Sequence, residues 1–312
     1  MKKTIFLSIF LMACAFLPHV GSGSPAVPDP HGTEPPRRVA IVVSAPLRPY
    51  LEALKGLTAA LAEHRIHARQ PITLPQDTQG DFRPGQAELI QASVDAYVAI
   101  GPEALSVVDA VSRATGRPRV FSVVLDPMKL LPEAETAPCG IALTIPAAEQ
   151  LEAVIRTLPG RTRLGVLYSS AENRLFLQKA EAHARTLGIT VQPIAVDGPK
   201  KVPERLAESL PHMDALWIIP DPAIDSKALV EYVVETALFQ NVPSIGYNRY
   251  FLEVGAAMAF VLDYEKIGAA TAFLLDLYLR SGQCPTTIPS YDVVVNENVV
   301  RRLLDYPKGA AR

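Results

Sequence analysis

Three cysteines in 312 residues exclude a disulfide-dense scaffold, which needs a far tighter cysteine framework. The apolar run near the start, Ile5 to Leu17, is 13 residues long, short of the ~20 that a bilayer-spanning helix needs. Charge of one sign is lacking too: 30 basic and 32 acidic residues leave a formal charge of −2. With no basic stripe to neutralise phosphates, the chain is not built to grip nucleic acid. A content of 49% apolar and 20% charged residues without a short repeat excludes disorder, collagen and coiled coil. Several catalytic signatures are missing as well. The turn after the first strand has no glycine, hence no GxGxxG cradle. Gly80 to Gly85 has P-loop spacing but is followed by Gln86 rather than lysine. No GxSxG elbow surrounds Ser169 or Ser170, and the six histidines are scattered. His64 and His67 read as surface residues ending a helix, because a closed metal site needs about four ligands. Neither a catalytic residue, a metal nor a cofactor is expected.

What is present begins with Met1-Lys2-Lys3, the apolar run, Pro18 and the small residues Gly21 to Gly23. This is the layout of an export signal over residues 1–22, with cleavage after Ser22. A second reading stays open: Leu11-Met12-Ala13-Cys14 has the form of a lipobox, with Cys14 the lipidated residue. Either reading places the mature chain outside the cytoplasm, in the periplasm. Loss of residues 1–22 removes two lysines and no acid, which takes the formal charge to −4. Residues 23–36 carry five prolines and little to bury, a flexible or polyproline-like tether. Of the cysteines remaining after processing, Cys139 and Cys284 either pair or stay as separate buried thiols.

From Arg37 onward, β-branched runs alternate with amphipathic stretches. Strands are predicted at 39–43, 96–100, 120–125, 164–168, 189–196, 215–219, 257–262 and 292–295. Helices are predicted between them, one using Leu51, Leu54, Leu57 and Leu61 as its buried face. Trp217, inside an apolar strand, reads as core. Strands that are apolar throughout and separated by helices imply α/β architecture with doubly wound parallel sheets. A length of 312 residues suits one large domain or, better, two lobes of roughly 100–150 residues each. Ligands of such folds bind beyond the carboxyl ends of the strands. Those positions hold Ser44 to Tyr50, Gly101-Pro102-Glu103, Asp126, Ser169-Ser170, Asp221, Tyr247-Asn248 and Asp263-Tyr264. Hydroxyls, carboxylates and rings beside helix N-termini suit a small zwitterion, and the same Asp and Ser residues serve equally as helix caps.

In their order, several stretches resemble the ABC-transporter substrate-binding family that includes tryptophan- and tyrosine-binding lipoproteins, a branch of the type I periplasmic binding proteins. They are Asp95 to Ala104, Pro118 to Pro127, Leu158 to Tyr168, Ser169 to Asn173, Asp214 to Asp221, Asn241 to Ile245 and Val261 to Tyr264. The resemblance covers about Arg38 to Val300. It implies two lobes, 37–141 plus 264–287 and 142–263 plus 288–312, joined by crossings near 140–143, 262–264 and 286–289. It also implies a ligand captured between the lobes as they close on their hinge. Carried over position by position, the ligand set is Ser44, Tyr50, Gly101, Pro102, Asp126, Ser169, Ser170, Asn173, Asp221, Tyr247 and Asn248. The chain departs from the family at three of these places. Gly101 replaces a threonine, the Glu-x-Asn-Ser pattern is shortened at Glu172-Asn173-Arg174, and Pro222 stands where asparagine is usual. The implied partners are a small-molecule ligand, such as an aromatic or other amino acid, and an ABC permease with its ATPase in the inner membrane, the receptor acting as a monomer. The alternative is a sensing or assembly module of the same fold, working with a membrane sensor kinase or an envelope enzyme.

Overall fold

Val39 to Val43 are almost wholly withdrawn from water, and so are Ala96 to Ile100. Segments buried on both sides cannot sit at a surface, so helices must cover both faces of the sheet they form. The computed structural model describes residues 36–75, 83–131, 138–169, 173–285 and 287–305. The export signal, Cys14 and all but the last residue of the tether lie outside these residues.

The first part of the chain runs β1 (Arg37–Val43), α1 (Arg48–Glu63), β2 (Ile66–Ala68), β3 (Ile72–Thr73), α2 (Arg83–Gln91), β4 (Ala96–Ile100), α3 (Pro102–Thr115), β5 (Arg119–Val124), α4 (Pro127–Leu130) and β6 (Gly140–Ala142). Its strands form one sheet in the order β2-β1-β4-β5-β6, with β3 also pairing β1, and every pairing is parallel. The chain then continues through α5 (Ala147–Thr157), β7 (Arg163–Tyr168), α6 (Arg174–Thr186), β8 (Thr190–Ala195), α7 (Val202–Ser209), β9 (Ala215–Trp217), α8 (Lys227–Phe239), β10 (Ser244–Gly246), α9 (Arg249–Glu253) and β11 (Met258–Leu262). Next come α10 (Tyr264–Ser281), β12 (Tyr291–Val295) and α11 (Glu297–Asp305). The second sheet has the order β12-β11-β10-β9-β7-β8. The expectation of wholly parallel sheets is corrected here, since β12 pairs β11 antiparallel. It does so because the chain re-enters this sheet from the far end, after α10.

Each sheet carries two hydrophobic layers, one per face. In β1 the side chains of Val39, Ile41 and Val43 join α1 and α10, while Ala40 and Val42 join α2 and α3. The second sheet packs α5, α6 and α11 on one face and α7 and α8 on the other. Full burial of each such aliphatic side chain stabilises by about 1.5–3 kcal/mol. Trp217 is fully buried, as expected, and its indole N–H donates to Gln150 Oε1 at 3.1 Å. The strands pass from the first sheet to the second once, after Ala142, while α10, between β11 and β12 of the second sheet, packs on the first. Leu262 packs against the cores of both sheets. Cys139 and Cys284 are bonded, which joins the start of β6 to the segment after α10.

Two local readings are revised. Leu51 is 45% exposed, and the buried face of α1 is instead Ala53, Gly56, Leu57 and Leu61. The face shifts because α10 lies directly on the α1 backbone. A Cβ at Gly56 would stand 1.9 Å from the Glu265 carbonyl oxygen, and one at Gly268 1.9 Å from that of Ala53. Of the histidine pair, only His64 ends the helix, where it faces Asp276 at 3.2 Å; His67 lies in β2.

Candidate ligand-binding site

Parallel strands deliver their carboxyl ends to one edge of a sheet, so the loops after β1, β4 and β5 gather on the first lobe. Ser44 is 6% exposed, and its Oγ accepts from the Ala104 N–H at 2.9 Å, capping α3 from across the sheet. Gly101 has φ of +97°, and a Cβ there would lie 2.5 Å from Ser44 Oγ and 3.0 Å from Cζ of Tyr50. Only glycine fits, and Ser44, Tyr50 and Gly101 pack together as a result. Pro102 is the first residue of α3. Burial raises the Tyr50 hydroxyl pKa above its ordinary value, helped by the negative charge of Glu103 and by Tyr264. Tyr264 is raised in the same way, by burial and then by Glu52. Asp126 stands apart. It is exposed, caps α4 through the Lys129 N–H at 3.3 Å and faces the Lys129 ammonium at 3.6 Å. A bulge in β5 at Val123, whose φ is +56°, precedes Leu125 and Asp126. Leu47, Leu51, Leu125 and Met128 are exposed on these loops and helix starts.

On the second lobe, Asp221 joins the loops after β7 and β9. It is 6% exposed, and its Oδ2 accepts from the Ser169 N–H at 2.8 Å and the Asn173 side-chain amide at 2.7 Å. Its Oδ1 accepts from the Ala223 N–H at 2.8 Å. A carboxylate offers about four acceptor positions, so three of them hold the chain's own loops. Asn173 also donates to the Pro220 carbonyl at 3.0 Å. Ser169, Asn173 and Asp221 are therefore one network, while Ser170 lies outside the described residues. Tyr247 stacks on Phe251 with centroids 4.6 Å apart. Burial, then Asp225 and Asp221, raises its hydroxyl pKa. Asn248 caps α9, accepting from the Tyr250 N–H at 3.0 Å.

The sequence-predicted residues thus form a cluster on each lobe, and Asp126 and Asn248 act as caps beside them. Glu103, Tyr264 and Asp225 also stand at these clusters and were absent from the predicted set. Glu103 and Tyr264 carried a signal, since each follows the end of a strand. Asp225 carried none, as it follows the short 3-10 turn Pro222–Ile224. Among the described residues no cluster of three or more His, Cys, Asp or Glu is arranged to hold a metal ion.

The profile of the family described as ABC transporter substrate binding protein matches residues 38–303. The chain belongs to this family. A comparison with curated proteins gives no match. Among solved structures, the ligand-free, open structure of CD0873, a substrate binding protein with adhesive properties from Clostridium difficile, is 17% identical with a TM-score of 0.69. That alignment covers 88% of this chain and 97% of the other. The ABC domain in complex with L-Trp from Streptococcus pneumonia is 20% identical, with a TM-score of 0.54, covering 86% and 94%. A conserved domain protein from Vibrio cholerae is 19% identical, with a TM-score of 0.55, covering 86% and 95%. The fold of this substrate-binding protein is that of the type I periplasmic binding proteins. No helix among its described residues is long and apolar enough to cross a membrane.

Proposed function

We propose that this substrate-binding protein captures a small organic ligand of amino-acid size between its two lobes outside the cytoplasm and delivers it to an ABC permease and its ATPase. The lobes of this reading are 37–141 plus 264–287 and 142–263 plus 288–312, hinged where the chain passes between them. The observation that carries it is the pairing of two clusters. Ser44, Tyr50, Gly101 and Pro102 stand at the carboxyl edge of one sheet, and Ser169, Asn173, Asp221 and Tyr247 at that of the other. A ligand touching both favours the closed state by its differential affinity for it.

A thermal-shift panel of amino acids, sugars and small acids tests the reading, because a ligand that binds only the native state raises its melting temperature. Small-angle scattering then follows the best ligand. A smaller radius of gyration at saturation is expected, and identical curves would refute capture by closure.

A further inference from the structure

A cavity of about 490 Å³ lies in the first lobe, away from the loops of the proposed site. It arises where β1 changes partner. β2 pairs with β1 as far as Val39, and β3 takes over from Val42. Between them the chain detours through Arg69, Gln70 and Pro71, and Pro71 has no N–H with which to continue a ladder. Side chains as small as Ala40 of β1 and Ala92 of α2 do not refill the gap. These two and Leu89 belong to the buried layer between the sheet and α2 and give the cavity an apolar floor, with Ile72 half-buried beside them. The volume falls within the roughly 300–1,000 Å³ of small-molecule sites. Ala40 precedes Ser44 by four residues of extended chain, about 13 Å. The cavity therefore shares no residue with the cluster at the carboxyl edge of the sheet.

Two opposite charges reach this cavity from different elements. Arg69 comes from the connection between β2 and β3, and Glu88 from α2, both exposed. They are not paired with one another, and among the described residues neither has another ion-pair partner. A guanidinium holds a carboxylate through two parallel N–H donors, and a carboxylate holds an ammonium. Beside an apolar floor, this arrangement fits a molecule that carries both charges on an aliphatic body. An organic acid would leave Glu88 unanswered, and an amine would leave Arg69 so.

We propose that this cavity is an accessory binding site for a small zwitterion with an aliphatic side chain, separate from the ligand site between the lobes. The carboxylate of the zwitterion sits on Arg69, its ammonium on Glu88 and its side chain against Leu89 and Ile72. Hydrogen exchange of the full chain, read by mass spectrometry, tests this with three matched probes. They are L-leucine, 4-methylpentanoate, which lacks the ammonium, and 3-methylbutylamine, which lacks the carboxylate. Leucine should slow exchange saturably over 66–74 and 86–92, and the two singly charged probes should not. Arg69→Gln and Glu88→Gln each change one exposed charge and should leave the circular dichroism spectrum unchanged. Each should raise the leucine concentration at half effect about fivefold, the upper worth of an exposed, screened ion pair. Exchange from Ser44 to Tyr50 and at Tyr247 and Asn248 reports the site between the lobes separately. Slowing there alone, or nowhere, would overturn the accessory site. An equal effect of either singly charged probe, or an unchanged leucine midpoint in either variant, would overturn the zwitterion assignment.

Discussion

Asp221 shows how one side chain changes meaning between sequence and structure. In the sequence it is an acid at a strand end, equally a cap or a ligand for an ammonium. Its real partners, Ser169 and Asn173, lie about 50 residues earlier, and nothing local announces them. Asn is therefore not a silent replacement here. Its amide nitrogen would confront a donor, either the Ala223 N–H or the pair on Oδ2. Asp221→Asn and Asp221→Ala should each destabilise by about 1–3 kcal/mol, as expected when buried donors are orphaned, read as a fall in the thermal midpoint. An unchanged midpoint would show that the loop holds without the carboxylate. Gly101 was legible only as a missing hydroxyl; its positive φ and the ring of Tyr50 give the physical reason. Gly101→Ala should cost about 1–2 kcal/mol in backbone strain and weaken ligand binding further by displacing Ser44 and Tyr50. Asp214 sets an acid limit. The Arg163 guanidinium, with the N–H groups of Arg163 and Thr162, lowers its carboxyl pKa from 3.8 to about 2 against the opposing effect of burial. A depressed folded-state pKa contributes stability that is fully present above about pH 4 and lost as pH falls towards 2. Asp214→Asn should flatten the denaturation profile across that window, and an unaltered acid limb would remove the pair from the account.

Among the elements, long strands with unbroken apolar runs were read nearly to the residue: β4 at 96–100 matches, and β1, β5 and β7 differ by one or two positions. Of the strands of two or three residues, β9 was read within the apolar run 215–219, but β2, β3, β6 and β10 escaped because so few residues cannot establish a period. β6 is Gly-Ile-Ala and β10 is Ser-Ile-Gly, both ordinary loop sequences until neighbouring strands fix them. The predicted strand around Pro193 is β8, at the edge of its sheet, where proline costs no ladder bond on the open side. The backbone contact between α1 and α10 was illegible for a different reason: Gly56 and Gly268, more than 200 residues apart, come up against the opposite helix only in the fold. Gly56→Ala or Gly268→Ala drives a methyl into a carbonyl oxygen. Each should destabilise by about 1–3 kcal/mol or more, visible in urea as a lower midpoint with an unchanged slope. Tolerance of both substitutions would show that the helices can part. Because α1 follows the Ser44 loop and α10 follows Leu262, this contact ties one wall of the proposed site to a strand crossing.

For the whole molecule, the α/β class followed from alternation and the two lobes from length and the resemblance, and the two separate sheets agree. The three crossings were implied by the resemblance and not by the periodicity. The antiparallel β12 is the exception that alternation could not foresee, because its direction depends on where α10 leaves the chain. Cys139 and Cys284, left open in the sequence, are bonded, which joins the start of β6 to the segment between α10 and β12. Breaking this link by reductant or by Cys139→Ser should lower stability by about 2–5 kcal/mol, measured as a fall in the urea midpoint. Identical midpoints with and without reductant would show that the link adds nothing to stability.

The same bond makes residues 139–284 a covalent ring, through which most of the second lobe's chain passes. A protease that cuts once inside that ring opens it without releasing a fragment. The nicked protein should run as one band on a non-reducing gel and as two after reduction, whereas a cut before Cys139 or after Cys284 yields two bands either way. In an environment rich in proteases, a single scission between Cys139 and Cys284 would leave the molecule in one piece.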